Sequence, residues 1–329
     1  MGLSSPVPPL LPAQEATVLV AGKKGTRKHA PHSKRSVTIK RALKRNSAGY
    51  LFLLPALLIF ALFVWYPVVL GIVMSFQNVD MINPATWIGW DNYRTVLLDP
   101  LFKVAWINTL EFTGYALLFG YVVPIILALI INEMRHGKGF FRLAFYLPVM
   151  LPPIVTVFLW RWIYNPDGGL LNTLLNLLHL PTALWLETPG IALPALMVIT
   201  TWSNAGSTML IYLAALQGVP AALYEAAEID GSSIWRRLWH ITLPVIRPIM
   251  LLMLILQIIG TMQVFIEPFT ITDGGPQNTT ISVLLLIYKY AFQQANFGAA
   301  SASGVLLFLV LAIFALIYMR MTSRFMEGE

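Results

Sequence analysis

Long apolar runs without a charged residue constrain this chain more than any other feature of its sequence. The first, residues 50–76, contains no Asp, Glu, Lys or Arg, and an uncharged apolar run of about 18 or more residues is typical of a membrane-spanning helix. Only 11% of the residues are charged, whereas soluble domains contain about 25%. We therefore expect an all-α integral membrane protein with six transmembrane helices. The spans are predicted at about residues 50–76, 107–132, 142–164, 191–216, 247–267 and 297–320.

The N-terminal segment differs from the rest of the chain in charge. Residues 1–49 contain ten Lys or Arg and one acidic residue, Glu15. Because the segment is also rich in Pro and Ser, we predict a largely disordered, basic cytoplasmic tail over residues 1–48, before a membrane domain of residues 49–329. Beside membrane spans, such charge favours an anchor near anionic lipid over binding to nucleic acid.

The positions of the basic residues predict the orientation of the spans. With both termini in the cytoplasm, 18 of the 22 Lys and Arg residues lie on the cytoplasmic side. Only Arg94, Lys103, Arg161 and Lys289 fall outside. This positive-inside bias predicts a multi-pass protein whose N and C termini are cytoplasmic, and it also places residues 217–247 in the cytoplasm.

Residues 217–247 form a polar, helix-forming segment between two apolar runs. Pro220 suits the first position of a helix, and Gly231 is placed to end that helix in the left-handed conformation. Ser232 is expected to cap a second short helix. Pro244, after Leu243, is expected to end this second helix because proline cannot continue the hydrogen-bond ladder. The side chains of Trp235, Leu238 and Trp239 are expected to pack the segment onto the membrane helices.

The same segment carries a known signature. It reads Glu-Ala-Ala, three residues, Gly, nine residues, then Ile-x-Leu-Pro, and it resembles the EAA loop of permease subunits in binding-protein-dependent ABC importers. The matching residues are Glu225, Ala226, Ala227, Gly231, Ile241, Leu243 and Pro244. The resemblance implies a coupling helix that docks in a cleft of a cytoplasmic ATPase. Glu225 would pair with a basic residue of that partner, and Asp230 would steady the corner at Gly231.

Further motifs are similar to those of carbohydrate importers of the maltose, lactose and glycerol-3-phosphate type. They are Leu54-Pro-Ala with Tyr66-Pro67, Gly89-Trp-Asp-Asn-Tyr93, Leu147-Pro148, Gly274-Gly-Pro276 and Tyr290-Ala-Phe292. The Gly-Gly-Pro turn looks like that of the first of the two permease subunits in such systems. The resemblance implies the fold of a type I ABC importer transmembrane domain in the inner membrane of a prokaryote.

The sequence shows no energy source for transport within the chain itself. It contains no Gly-x-x-x-x-Gly-Lys-Ser/Thr motif for nucleotide binding. No acidic or basic residue lies deep in a predicted span, so an ion-coupled relay has no obvious carrier. Glu111 and Glu267 are expected near the outer ends of spans, in contact with water. The resemblance implies instead that ATP and Mg²⁺ bind to separate ATPase subunits and that this chain holds no cofactor or metal.

Uncharged polar residues within the predicted spans are candidates for the substrate path, because hydrocarbon penalises unpaired polar groups. Thr200 and Asn204 are four residues apart on the fourth span, and Gln257 and Thr261 repeat that spacing on the fifth, so each pair shares one helix face. Thr156 lies within the proline-rich third span. Hydroxyl and amide groups suit a sugar or polyol. They are equally suited to hydrogen bonds between neighbouring helices, and the sequence leaves both roles open.

The predicted function is therefore that of a permease subunit, not an enzyme, for an ATP-driven importer of a sugar, oligosaccharide or polyol derivative. Its expected partners are a second homologous permease, two cytoplasmic ABC ATPases, an extracytoplasmic binding protein and the lipid bilayer, with no nucleic acid. A permease for glycerol 3-phosphate or another small polar solute remains an alternative. An ion-coupled transporter, a membrane enzyme and an assembly component are weaker ones, since the sequence contains neither intramembrane charges nor a catalytic constellation.

Overall fold

The computed structural model describes residues 47–326, and within this range the chain is helical apart from its loops and one two-stranded pair. The predicted tail of residues 1–48 lies outside the described residues, except for the two residues that begin the first helix. The α-helices are α1 (Ser47–Phe60), α2 (Tyr66–Met74), α3 (Asp91–Leu98), α4 (Pro100–Tyr115), α5 (Val122–Glu133), α6 (Lys138–Tyr146), α7 (Pro153–Ile163), α8 (Leu170–Leu177), α9 (Ala192–Gln217), α10 (Ala221–Ile229), α11 (Ile234–Arg237), α12 (Leu243–Met262), α13 (Val283–Tyr288) and α14 (Phe297–Met326). The strands are β1 (Gln77–Asn78) and β2 (Thr86–Trp87), which pair antiparallel.

The chain divides into two units. The first is Met1–Leu58, of which the described part is the beginning of α1. The second is Ile59–Glu329, which contains α2 and all the elements after it.

Several of these helices join end to end through wider, π-helical turns. Such turns occupy Ala61–Trp65, Ala116–Gly120 and Leu238–Thr242, between successive α-helices. With these joins, four helical stretches of the described chain are long and apolar enough to cross a membrane, namely Phe52–Met74, Pro100–Glu133, Ile234–Met262 and Phe297–Arg320. Two bent helix pairs meet the same test, so the number of spans is as many as six.

The second span begins earlier than the predicted residue 107. The helix starts at Pro100, because the Asp99 side chain accepts a hydrogen bond of 2.8 Å from the backbone N–H of Leu101 and caps it. Proline at the first helical position loses no hydrogen bond. The Tyr290 hydroxyl donates a further hydrogen bond to the carboxylate of Asp99. The Asp-Pro pair was thus a helix-start signal upstream of the predicted span.

The proline-rich third span is broken, as its prolines predict. Lys138–Met150 and Pro153–Ile163 meet at 101°. Pro152 is the N-cap of α7 and Pro153 its first residue, so neither proline interrupts a hydrogen-bonded turn.

The predicted end of the second loop helix at Pro244 is wrong. Ile234–Met262 is one continuous helical stretch of 29 residues. It passes Pro244 immediately after the π-helical turn Leu238–Thr242, and a wider turn leaves room for a residue that lacks an N–H group. The helix that contains the predicted fifth span therefore begins within the loop, at Ile234.

Helix α9 is the centre of the second unit. It lies against α4, α5, α6 and α12, and the side chains of Leu196, Met209 and Tyr212 on it are fully buried. Gly206 allows its closest approach to a neighbour, since a Cβ atom there would lie 2.1 Å from the carbonyl oxygen of Phe145. This packing holds both walls of the cavity described below.

Short elements between the long helices also form specific contacts. The side chain of Asn108 donates hydrogen bonds of 2.7 and 3.0 Å to the backbone oxygens of Asn278 and Ile281. Ser282 caps α13, three of whose six residues are buried. The short helix α13 is thus packed within the structure. In α8, Asn172 accepts a hydrogen bond of 2.9 Å from the Trp185 indole.

Candidate functional site

A cavity of about 530 Å³ lies between α4, α9, α12 and the segment that follows α12. Ligand-binding pockets have volumes of about 300–1,000 Å³. Four of the five residues predicted for the substrate path line it, namely Thr200, Asn204, Gln257 and Thr261. The structure therefore brings the two helix faces together around one space.

Thr156, the fifth predicted path residue, is not among those that line the cavity. It is buried on α7, and its neighbours Val157 and Trp160 belong to an apolar cluster with Leu193 and Leu196 of α9. The break before α7 turns this helix away from the course that a straight third span would take.

The polar face of α9 contains more residues than the predicted pair, Thr200 and Asn204. Thr201, Ser207 and Thr208 also line the cavity, and the Thr201 hydroxyl is buried with no hydrogen-bond partner among the described residues. Thr200, Asn204, Ser207 and Thr208 follow the spacing i, i+4, i+7, i+8 of one helix face. That spacing was a usable signal, and the sequence prediction missed it by stopping at Asn204.

Three hydroxyl groups on these faces donate within their own helix. The hydroxyl groups of Thr200 and Ser207 donate to the carbonyl oxygens of Leu196 (3.1 Å) and Asn204 (2.8 Å). The Thr261 hydroxyl donates to the carbonyl oxygen of Gln257 at 2.8 Å. A hydroxyl that has donated its proton can still accept through its oxygen lone pairs. These hydroxyl oxygens can therefore accept from a ligand, while the Thr201 hydroxyl and the Gln257 amide can donate to one.

The Gln257 side chain occupies space that Gly120 leaves open on the facing helix. A Cβ atom at Gly120 would lie 2.7 Å from Gln257 Nε2 and 3.1 Å from the terminal methyl carbon of Met197. Any larger residue at this position would displace a cavity-lining amide.

Glu267 is the one charged residue among those that line the cavity. It follows the helix that ends at Met262 and is partly buried, whereas the sequence predicted it near the outer end of a span, in contact with water. A lone glutamate at a helix end gives no sequence signal for a cavity, because only the packing of α9 against this segment creates one.

The loop of residues 217–247 contains the predicted corner. α10 runs from Ala221 to Ile229, and Gly231 has φ +68°. Two backbone hydrogen bonds form at the C-terminal end of α10. Gly231 N–H donates to the Glu228 carbonyl oxygen (3.0 Å), and Ser232 N–H donates to the Ala227 carbonyl oxygen (2.9 Å). This pair is the Schellman motif, which requires a left-handed residue at the glycine position. Asp230 contributes to the corner through its backbone as the helix C-cap.

The predicted cap of the second loop helix is wrong by one residue. Ser233, not Ser232, caps α11, because its side chain accepts the hydrogen bond from the backbone N–H of Arg236. Ser232 instead contributes its backbone N–H to the preceding Schellman motif.

The expectation that the loop tryptophans pack onto the chain is also wrong. Trp235 is 72% exposed and Trp239 is 64% exposed, and Ile229 beside them is 87% exposed. Leu238 alone of the predicted trio is half-buried. Exposed large apolar side chains that lie close together in the chain are typical of a surface that a partner covers.

Other residues hold the loop to the helices. The hydroxyl groups of Tyr224 and Thr242 lie 2.9 Å apart and are hydrogen-bonded, and Thr242 is buried. Tyr224, Ile241 and Leu243 pack against the apolar cluster that includes Leu216. Neither Tyr224 nor Thr242 stood out in the sequence, because only the fold brings residues 18 positions apart together.

The remaining motif residues lie on the outside of this corner. Glu225, Ala226 and Pro244 are exposed, and Ala227 is half-buried. The Glu225 carboxylate is therefore accessible to a partner protein, and the small alanines beside it leave the helix surface narrow. Among residues 47–326, no group of three or more His, Asp or Glu side chains is arranged to hold a metal ion.

Comparison with known proteins agrees with these features. The family model described as "Binding-protein-dependent transport system inner membrane component" matches residues 120–328. The trehalose/maltose transport system permease protein MalF of Thermococcus litoralis is 32% identical over 286 residues, covering 87% of this chain and 97% of that protein. The arabinooligosaccharides transport system permease protein AraP of Bacillus subtilis is 30% identical over 288 residues, covering 87% and 91%.

Solved structures with the same fold are also similar in sequence. A chain of a bacterial ABC transporter involved in the import of the acidic polysaccharide alginate superposes with a TM-score of 0.77 and is 30% identical, covering 87% of this chain and 98% of that one. A second structure, the alginate transporter in complex with an alginate pentasaccharide-bound periplasmic protein, has a TM-score of 0.77 at 29% identity and covers 87% and 97%. The fold is therefore all-α, of the ABC importer transmembrane type.

Proposed function

Because the chain belongs to the binding-protein-dependent transport system inner membrane components, we propose that its cavity is part of the path by which a sugar or oligosaccharide crosses the membrane. The protein is a permease subunit of a sugar importer, similar along most of its length to permeases named for trehalose, maltose and arabinooligosaccharides. The observation that carries the proposal is the convergence of uncharged polar side chains from α9 and α12 on one cavity.

The cavity chemistry suits a saccharide. Thr200, Asn204, Gln257 and Thr261 offer hydroxyl and amide groups beside apolar side chains such as Phe112 and Met253. Sugars combine hydroxyl groups with apolar C–H faces, so both kinds of surface find a counterpart. Hydrogen bonding between neighbouring helices does not explain why these four side chains line open space.

The loop of residues 217–247 supplies a route for mechanical coupling. It joins α9 to α12, the two helices that carry the polar faces of the cavity. On one side, three residues separate α9 from α10, and the two helices meet at 68°. On the other side, α11 continues through the π-helical turn into α12. A displacement of this loop would therefore move both cavity walls together.

We infer the assembly from this arrangement and from the family. The chain would pair with a second homologous permease, receive sugar from an extracytoplasmic binding protein, and present the exposed loop to one of two cytoplasmic ABC ATPases. ATP and Mg²⁺ would bind to those ATPases, and both termini of this chain would be cytoplasmic. Closure of the ATPases would then rock the spans between inward- and outward-facing states as rigid bodies. Within this assembly, Glu225 would pair with a basic residue of the ATPase cleft.

The test is the sugar-stimulated ATPase activity of the reconstituted complex, with its binding protein and a panel of saccharides. We expect one class of saccharide to stimulate ATP hydrolysis by the wild-type complex. Glu225→Ala should reduce the stimulation at least tenfold, because it removes the charged contact at the coupling helix.

Glu133→Ala is the matched control, since Glu133 is an exposed glutamate at the end of α5, outside the motif. It should leave the stimulation unchanged. Equal stimulation of the wild type and Glu225→Ala would remove Glu225 from the coupling contact. A complex that contains no ATPase, or that no saccharide stimulates, would contradict the importer function.

A further inference from the structure

From the charges that line the cavity, we propose that Glu267 selects uncharged or amine-bearing saccharides and excludes acidic saccharides and sugar phosphates. The inference deepens the proposed function and rests on it. It assigns the selectivity to one carboxylate that the family signature does not include.

The first support is the charge of the cavity wall. Glu267 is the one charged side chain among the residues that line it, and neither Lys nor Arg is present there. A carboxylate or phosphate in this space would face a like charge without a neutralising partner from this chain. In a cleft with low-dielectric walls, such repulsion is stronger than in water.

The second support is the balance of hydrogen-bond donors and acceptors. The hydroxyl protons of Thr200, Ser207 and Thr261 are engaged with backbone oxygens of their own helices. One amide hydrogen of Asn204 is engaged in the same way, with the backbone oxygen of Thr200 at 2.9 Å. At these four groups the wall therefore offers acceptors to a ligand, beside the donors that remain at the Thr201 hydroxyl and the Gln257 amide. Sugar hydroxyls and ammonium groups donate, whereas carboxylates and phosphates only accept.

The solved structures with the same fold provide a contrasting case, because their substrate is acidic. They are transporters of alginate, an acidic polysaccharide, and they share this fold at about 30% identity. The fold alone therefore does not determine the charge of the substrate. The wall of this chain, with its single negative charge, predicts the opposite preference.

One test measures the charge of the cavity without a substrate. The chain contains no cysteine, so Ser207→Cys places a single thiol in this chain on the cavity wall. In the intact membrane complex, its rate of reaction with cationic, neutral and anionic methanethiosulfonate reagents is followed by the mass of this chain. Each rate is divided by the rate of the same reagent with a free thiol.

We expect the cationic reagent to react faster than the anionic one. Adding Glu267→Gln should reduce that ratio about tenfold, because the amide has nearly the same shape but no charge. Glu111→Gln is the control, since Glu111 is exposed and does not line the cavity, and it should leave the ratio unchanged. A ratio that favours the anionic reagent, or that Glu267→Gln does not alter, would overturn the proposal.

A second arm uses transport by the same complex. Neutral oligosaccharides should be imported, uronic acid oligosaccharides of equal length and sugar phosphates should not, and Glu267→Gln should lower the neutral-to-acidic ratio about tenfold. If the wild type prefers the acidic compounds, the selectivity assigned to Glu267 is wrong while the sugar importer stands. If it transports neither class, both proposals fail.

Discussion

Between α9 and α12, polar side chains such as Thr200 and Gln257 face a cavity among apolar helices. In the loop that joins the same two helices, the large apolar side chains of Ile229, Trp235 and Trp239 are exposed instead. The two regions thus depart from the usual distribution of polarity in opposite directions. We infer that something outside the chain complements each departure, a hydroxylated ligand in the cavity and a protein surface at the loop.

The two regions also use glycine for different physical reasons. Gly206 lies where a helix backbone touches another backbone, so no side chain fits. Gly231 has open space around it but adopts φ +68°. Substitutions at the two positions should therefore damage packing in one region and backbone conformation in the other.

The largest effect is expected at Gly206. Gly206→Ala would bring a Cβ atom within 2.1 Å of the Phe145 carbonyl oxygen, a rigid backbone group. We expect a loss of about 3 kcal/mol in the free energy of unfolding, because overpacking against backbone forces helices apart. Thermal unfolding of the purified complex measures it. Gly114→Ala, with nothing within 4 Å of the new atom, should be neutral or stabilising by up to about 1 kcal/mol.

The next effect is expected at Trp235. Trp235→Ala should leave the stability of the isolated chain almost unchanged, because the side chain is 72% exposed. It should weaken association with the ATPase subunits by about 2 kcal/mol, as truncation of an interface tryptophan commonly does. Unfolding of the separate chain and titration with ATPase measure the two effects. Destabilisation by about 3–5 kcal/mol, as for a core tryptophan, would show that the loop packs on its own chain.

A smaller effect is expected at Gly231. Gly231→Ala should cost about 1–2 kcal/mol, because a Cβ atom in the left-handed conformation crowds the following carbonyl group. Sugar-stimulated ATP hydrolysis should fall while the charge preference of the cavity remains. Gly231→Asn should lose less stability than Gly231→Ala, since asparagine adopts the left-handed conformation more easily. Equal losses in the two variants would indicate that space, not backbone conformation, requires the glycine.

The smallest effect is expected at the start of α11. Ser233→Ala should cost about 1 kcal/mol of local helix stability through loss of the cap to Arg236, and it should speed hydrogen exchange of the Arg236 amide about fivefold. Ser232→Ala should have little effect, because Ser232 contributes its backbone N–H. The opposite result would restore the cap that the sequence predicted.

Much of the fold was predictable because it depends on local composition. The uncharged run at residues 50–76 corresponds to a helix over Phe52–Met74, and the apolar run that ends at residue 216 corresponds to α9. Hydrocarbon requires every backbone group to bond within its own helix, so apolarity and length together predict a helix. The helix boundaries at Pro100 and Pro244 were mispredicted, because a cap and a π-helical turn change what proline does there.

The candidate site was predictable only in part. Thr200 with Asn204 and Gln257 with Thr261 were found from spacing along single helices. That the two faces meet around one cavity, that Thr156 does not join them, and that Glu267 does, depends on how helices cross. Sequence spacing reports the face of one helix and carries no information on which other face it meets.

The sequence by itself determined the membrane class, the helical periodicity and the loop signature from Glu225 to Pro244. These depend on the solvation of each segment and on short-range backbone geometry. The tertiary structure alone decided that one loop connects both walls of the cavity, that Trp235 is exposed, and that a single carboxylate lines the cavity. Those features arise from contacts between residues far apart in the chain, whose geometry no local interaction specifies.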